Sequence, residues 1–266
     1  MISVIIPTYN RINLLTECLG CLSPDNQQLD LSLYEVIVTD DGNDIKIKDI
    51  IAEKFPWVKW VEGPKKGPAA NRNNGAKFAK SDWLLFTDDD CLPDKNWINE
   101  YISQIKFGKT LVYEGFTTTD RPKMRFDEQA PINTTGGLFW SCNIAINKSV
   151  FFEFDGFDEN FPFAAMEDID FRVRLTKKYK IIFLTEAVVI HPWRRVKPFR
   201  NIKKHILSNI YFLKKNKQPF IRYRLSRIKI FVFYFLRFTN ELFHFSFKGW
   251  PVYIEFNIIN FILIFI

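Results

Sequence analysis

The chain has 266 residues, 47% of them hydrophobic, which allows one large α/β domain or a domain with an appendage and excludes bulk disorder. Its net charge of +7 is unevenly spread: fifteen Lys/Arg fall between His191 and Trp250 against one acid, Glu241, while the rest holds twenty-two Lys/Arg against twenty-nine Asp/Glu. An acidic body with a basic tail calls for an anionic partner at the tail.

Met1-Ile2-Ser3-Val4-Ile5-Ile6-Pro7 enters a strand pattern without a charged leader, so a reducing cytosolic setting is expected. Val4-Ile5-Ile6 reads as a buried parallel strand closed by Pro7. Residues 14–22 have helical spacing. They include Cys18-x-x-Cys21, whose redox spacing yields to core packing because the pair sits in an amphipathic stretch far from Cys91 and Cys142. Strands are expected at 34–38, 58–61 and 83–86, with helices at 45–54 and 69–79 between them. That alternation argues for a doubly wound, mostly parallel sheet flanked by helices. A helix at 97–105 follows, then irregular strands over 112–119, a loop over 120–135 and a strand over 139–146. A helix at 168–178 and strands at 181–184 and 188–190 complete an α/β domain of residues 1–193. From about Arg194 basic and aromatic residues dominate, and residues 194–266 read as a helical C-terminal region.

Asp40-Asp41-Gly42 and Asp88-Asp89-Asp90 each follow directly on an apolar strand, and ligands bind at the carboxyl ends of strands in such sheets. Three adjacent carboxylates repel one another. They form either a solvated acidic turn or, as favoured here, a site where Mg²⁺ or Mn²⁺ offsets the repulsion. Glu167-Asp168-Ile169-Asp170 forms a second acidic cluster after a loop through Gly156-Phe157-Asp158-Glu159. Asp168 either pairs with Arg172 one helical turn on or serves as a general base. His191 either ends a strand or completes a metal shell with Asp90 through neutral imidazole. Arg72, early in a helix opened by Gly67-Pro68, is either exposed or bound to phosphate.

Val4 to Arg11, the Asp40-Asp41-Gly42 turn, Arg72-Asn73, Thr87-Asp88-Asp89-Asp90, Gly156 to Glu159 and Glu167-Asp168 fall in the order seen in family 2 glycosyltransferases, which this chain resembles over about residues 1–191. The resemblance implies a GT-A fold, a nucleotide-diphosphate sugar donor, a divalent metal and inversion at the anomeric carbon. It implies a base pocket lined by Pro7, Tyr9 and Asp41, with Asp88 facing the ribose or sugar side; Thr8, Arg11, Arg72 and Asp89 complete the expected nucleotide-sugar site. Asp90 and His191 would take the metal, Mn²⁺ or Mg²⁺. Asp168 would be the catalytic base, and Trp140 and Glu167 would meet a saccharide or lipid-linked acceptor, with Phe139-Trp140-Ser141-Cys142-Asn143 either an aromatic platform for it or core.

In the tail, the apolar runs 228–238 and 252–266 are shorter than the ~20 residues that cross a bilayer. With their basic neighbours they suggest peripheral contact with the inner face of the cell membrane; a helical subdomain packed on another surface is the alternative. A nucleotidyltransferase would need a glycine-rich phosphate loop, and Pro7-Thr8-Tyr9-Asn10-Arg11 contains no glycine. A nucleic-acid-binding module leaves the acidic clusters without a purpose, so no nucleic-acid partner is expected.

Overall fold

The computed structural model describes residues 1–43, 46–200, 202–217 and 220–265. Ile45, the expected first residue of a helix, and Ile266, the end of the last apolar run, lie outside the described residues. In chain order the elements are β1 (Ile2–Thr8), α1 (Ile12–Cys21), α2 (Pro24–Gln27), β2 (Tyr34–Asp40), α3 (Lys46–Lys54), β3 (Val58–Glu62), α4 (Pro68–Phe78), β4 (Trp83–Phe86), β5 (Leu92–Pro93) and α5 (Trp97–Phe107). There follow β6 (Val112–Thr118), β7 (Glu128–Gln129), β8 (Ile144–Asn147), α6 (Lys148–Glu153), α7 (Glu167–Leu175), β9 (Ile182–Ile190), β10 (Arg194–Arg195), α8 (Ile202–Lys215), α9 (Phe220–His244) and α10 (Trp250–Ile264).

Two compact units result. The first comprises Met1–Thr119, Pro131–Glu159 and Glu167–Pro192; the second comprises Asp120–Ala130, Asn160–Met166 and Trp193–Ile266. The first unit holds an eight-stranded sheet in the order β3-β2-β1-β4-β8-β6-β9-β5. β1 to β4 run parallel, and β8 is antiparallel to both neighbours. The sheet is covered on both faces, as its unbroken apolar strands require. From β1, Val4 and Ile6 join a core with Leu15, Leu19 and Trp97. Ile5 points the other way, into a core with Phe86, Phe151, Phe157 and Phe171. α4 lies hard against β1: a Cβ on Gly75 would come 2.5 Å from Ile5 Cγ2, so only glycine fits there.

The chain runs outward from β1 through β2 to β3, then returns to place β4 on the other side of β1. The carboxyl ends of β1 and β4 therefore flank the point where the strand order reverses, the expected crevice of an open α/β sheet.

Three expected elements differ. The strand over 139–146 is confined to Ile144–Asn147. Phe139 has φ 57, and the Asn143 side chain is consumed in bonds from Trp97 and Tyr101 and to the Phe116 and Ala187 carbonyls, so these residues form a turn instead. The two short strands after residue 180 are one, β9, paired with β6 through a register shift at Gly115/Phe116. The loop over 120–135 contains β7, which pairs antiparallel with β10 in the second unit.

In that second unit, Phe126, Phe245 and Tyr253 form a core backed by Tyr234, Phe238 and Leu242. No described helix is long and apolar enough to cross a membrane.

Candidate active site

The crevice is built from the ends of β1 and β4. Asn71, on the first turn of α4, donates to the carbonyls of Thr8 and Thr39 and accepts from Thr39 Oγ1, tying β1 and β2 together below the opening. Asp41 accepts from the amides of Lys65 and Gly67, both at 2.9 Å, and so fixes the loop that opens α4. Pro7 is buried in β1, whereas Tyr9 projects to solvent just beyond it, available to stack on a planar ligand.

The three adjacent aspartates take three different environments. Arg72 Nη2 donates to Asp88 Oδ1 at 2.5 Å. Thr8 Oγ1 donates to Asp89 Oδ2 at 2.7 Å, and the Arg11 guanidinium lies 2.9 Å from Asp89 Oδ1. Arg11 Nη1 also donates to Asp90 Oδ2 at 2.9 Å. Burial pushes the Asp89 carboxyl up to about 7 against the opposing pull of Arg11 and Thr8.

Asp90 Oδ1 lies 3.3 Å from His191 Nε2. The other ring nitrogen, Nδ1, is 2.9 Å from the Pro192 carbonyl. A carbonyl only accepts, so in the neutral ring Nδ1 carries the proton and Nε2 turns its lone pair on the carboxylate. Two electron-rich atoms facing each other at that distance suit a shared cation. The separation also matches two neighbouring ligands of one ion bound at about 2.1 Å. Asp90, Cys91 and His191 have ligand atoms within 4.8 Å of one another. Burial holds the Cys91 thiol well above its usual range, which leaves the hard oxygen and the imidazole as the pair that fits Mg²⁺ or Mn²⁺.

Arg72 bridges the two acidic clusters. It is buried on α4 beside Asp88, with Nη1 4.0 Å from Glu167 Oε1 and its guanidinium over the Phe157 ring. Burial opposes its charge, but Asp88, Asp168 and Glu167 outweigh burial and raise its pKa. Glu167 and Asp168 open α7 directly after Met166, whose φ of 83 is rare for a residue with a side chain. Burial raises both carboxyls, with Arg72 pulling each down. Asp168 Oδ2 accepts from Ser141 N at 3.2 Å and Ser141 Oγ at 3.3 Å. Asp168 Oδ1 and Glu167 Oε2 are buried without a hydrogen-bond partner. The ion pair one turn apart in α7 is Asp170 with Arg174, not Asp168 with Arg172.

Trp140 is partly exposed, leans on the core and donates from Nε1 to the Ile132 carbonyl. Its neighbour Ser141 donates to Asp168. Sequence reasoning did not single out Ser141 as the partner of Asp168, nor Glu114, whose carboxylate gathers the amides of Gly137 and Phe139 and the side chain of Asn133. Neither carries a periodic or spacing signal, since both act on residues distant in sequence.

This fold, with its acidic turn at the strand reversal, is the GT-A class of glycosyltransferase. The sequence profile of glycosyl transferase family 2 matches residues 3–154, and the chain belongs to that family. An uncharacterized glycosyltransferase of Haemophilus influenzae is 32% identical over 193 residues, covering 67% of this chain and 63% of its own. The poly(ribitol-phosphate) beta-glucosyltransferase of Bacillus spizizenii is 34% identical over 142 residues, covering 49% of this chain and 22% of its own. The chain thus spans less than two thirds of the length of these relatives. The mannosyltransferase PcManGT of Pyrobaculum calidifontis, solved with GDP-Man and Mn²⁺, shares the fold with a TM-score of 0.59 at 16% identity, over 80% of this chain and 63% of its own.

Proposed function

We propose that the chain is an inverting hexosyltransferase that moves a sugar from a nucleotide-diphosphate sugar to a hydroxyl of a saccharide or lipid-linked saccharide, in cell-surface polysaccharide synthesis. The observation that carries this reading is Arg72, a buried cation joining Asp88 of one acidic cluster to Glu167 of the other at the reversal of the sheet. A cation there meets a departing diphosphate on one side, with a base for the acceptor on the other.

In this reading Pro7, Thr8, Tyr9, Arg11 and Asp41 hold the nucleotide, Asp88 faces its ribose or sugar side, and the buried Asp89 acts on the nucleotide-sugar site by holding Thr8 and Arg11. Asp90 and His191 would hold a divalent cation, Mn²⁺ or Mg²⁺, which would supply charge neutralisation for the leaving diphosphate. Arg72 stabilises the same developing charge from within the protein. Trp140 and Glu167 lie on the acceptor side. Asp168, oriented by Ser141, takes the proton of the acceptor hydroxyl as its oxygen bonds to the anomeric carbon. The bond from that carbon to the diphosphate breaks on the opposite face, and the electron pair leaves with the phosphate. Asp168 qualifies as the base because it is partly exposed, carries a buried oxygen without a partner and has its pKa raised by the desolvation around it. Peripheral contact of the helical C-terminal region, residues 194–266, with the inner face of the cell membrane belongs to the same proposal, since a lipid-linked acceptor is presented there.

Donor turnover, screened across nucleotide sugars with Mn²⁺ or Mg²⁺, tests it. Hydrolysis of one sugar nucleotide above the rest, abolished by chelator, is the expected result. No turnover of any donor with either ion, in the presence of saccharide acceptors, would overturn it.

A further inference from the structure

The C-terminal unit buries one face of its longest helix and leaves another bare. α9 turns Tyr234 and Phe238 onto Tyr253 of α10, and Arg227 donates to Asn260 of the same helix. Roughly 140° around the helix axis, Ile221, Leu225, Ile228, Val232, Leu236 and Phe243 form a second row, every member exposed. Leu236 and Phe243 keep 72% and 73% of their surface in contact with solvent. A row of large apolar side chains running most of the length of a helix marks a contact surface. Arg224 and Lys229 border it, one on each side, and both are exposed. From Trp193 onward the chain carries fifteen Lys/Arg and two acids, Glu241 and Glu255.

We propose that this face of α9 lies flat on an anionic bilayer, with the apolar row sunk to the headgroup boundary and Arg224 and Lys229 reaching the lipid phosphates. The proposal rests on the membrane contact put forward above and narrows it to one helix face, one orientation and one lipid charge. The helix lies in the plane because its 25 residues include five Lys/Arg and Glu241, and none of the described helices is apolar enough to cross. A second copy of the chain is the poorer occupant. It would bring another strongly basic surface within the ~10 Å over which charges act at moderate salt, whereas anionic lipid supplies the opposite sign.

Flotation of the purified full chain with vesicles tests this. Vesicles with about 30% phosphatidylserine should bind at least ~10-fold more tightly than pure phosphatidylcholine, and raising NaCl from ~0.1 to ~0.5 M should weaken binding. The double variant Val232→Glu, Leu236→Glu should lose on the order of tenfold or more in vesicle affinity. It should keep the wild-type melting temperature, because both side chains are exposed. Turnover of a soluble donor should be unchanged by it. A wild type that binds vesicles yet turns over no donor would sink the transferase reading and leave this one standing. The membrane proposal itself falls if the wild type stays unbound to phosphatidylserine at low salt, or if the double variant binds as the wild type does. It falls equally if sedimentation shows a wild-type dimer that the double variant abolishes and neither protein binds vesicles, for then a second copy covers the face.

Discussion

Replacing Arg72 with methionine removes the cation between the two acidic clusters while keeping much of the side-chain volume. Arg72 and Glu167 are each 7% exposed at the side chain, and Asp88 is 19% exposed. Removing one partner of a buried ion pair costs about 3–5 kcal/mol because the other charge stays buried. Asp88 regains some hydration and Glu167 does not, so the cost should fall near the lower end, about 3–4 kcal/mol. For a unit of this size that lowers the melting temperature by roughly 6–16 °C. The loss should depend on pH. Glu167 and Asp168 already have raised pKa values in the folded protein, which Arg72 restrains. A group with a raised folded pKa favours folding while it is protonated, and that contribution fades as pH rises through the folded value. Without Arg72 both values climb further, so the part of the deficit that comes from these two carboxyls should be smaller at about pH 5 than at about pH 9, growing as pH rises through about 8, where Glu167 loses its proton in the wild type. Differential scanning fluorimetry of wild type and Arg72→Met across that range reads both effects, and Arg72→Lys should recover part of the loss. A melting temperature within about 2 °C of wild type at the alkaline end would refute the reasoning, since it would mean that the two carboxylates do not need the cation.

Asp168→Asn should preserve nucleotide binding in calorimetry and lower donor turnover by about 10²–10⁴-fold, the usual contribution of a general base; near-full turnover would move the role to Glu167 or Asp170. Asp90→Ala should abolish Mn²⁺-dependent nucleotide binding with the circular dichroism unchanged, and an unaltered affinity in titrations with Mn²⁺ would refute the ligand assignment. Arg11→Gln removes one of the two arginines set against three aspartates, so Mn²⁺ should bind the nucleotide-free protein on the order of tenfold tighter by electron paramagnetic resonance. Weaker or equal Mn²⁺ binding there would show that Arg11 does not compete with the ion.

Much of the catalytic unit is legible in the chain itself. Val4-Ile5-Ile6, residues 34–38 and Trp83 to Phe86 are apolar runs closed by proline or aspartate, and a sheet buried on both faces needs such strands wherever it is found. The polar residues at their ends must then lie on one edge, which is why Asp41, Asp88 and Asp90 stand out in the sequence itself. The ordered motifs that resemble family 2 added the fold and the chemistry. Other features were decided by residues far apart in the chain. Asn143 breaks the expected strand over 139–146 because its amide is spent on Trp97, Tyr101, Phe116 and Ala187. β9 runs unbroken because β6 absorbs the irregularity at Gly115. The division of labour within Asp88-Asp89-Asp90 belongs to the same class. Three identical neighbours carry no local signal to separate them; only the partners that β1, α4 and the end of β9 bring to each one do so. Composition could likewise mark residues 194–266 as basic and aromatic. Which side of α9 is left bare depended on how α10 packs against the other, and that is a property of the fold alone.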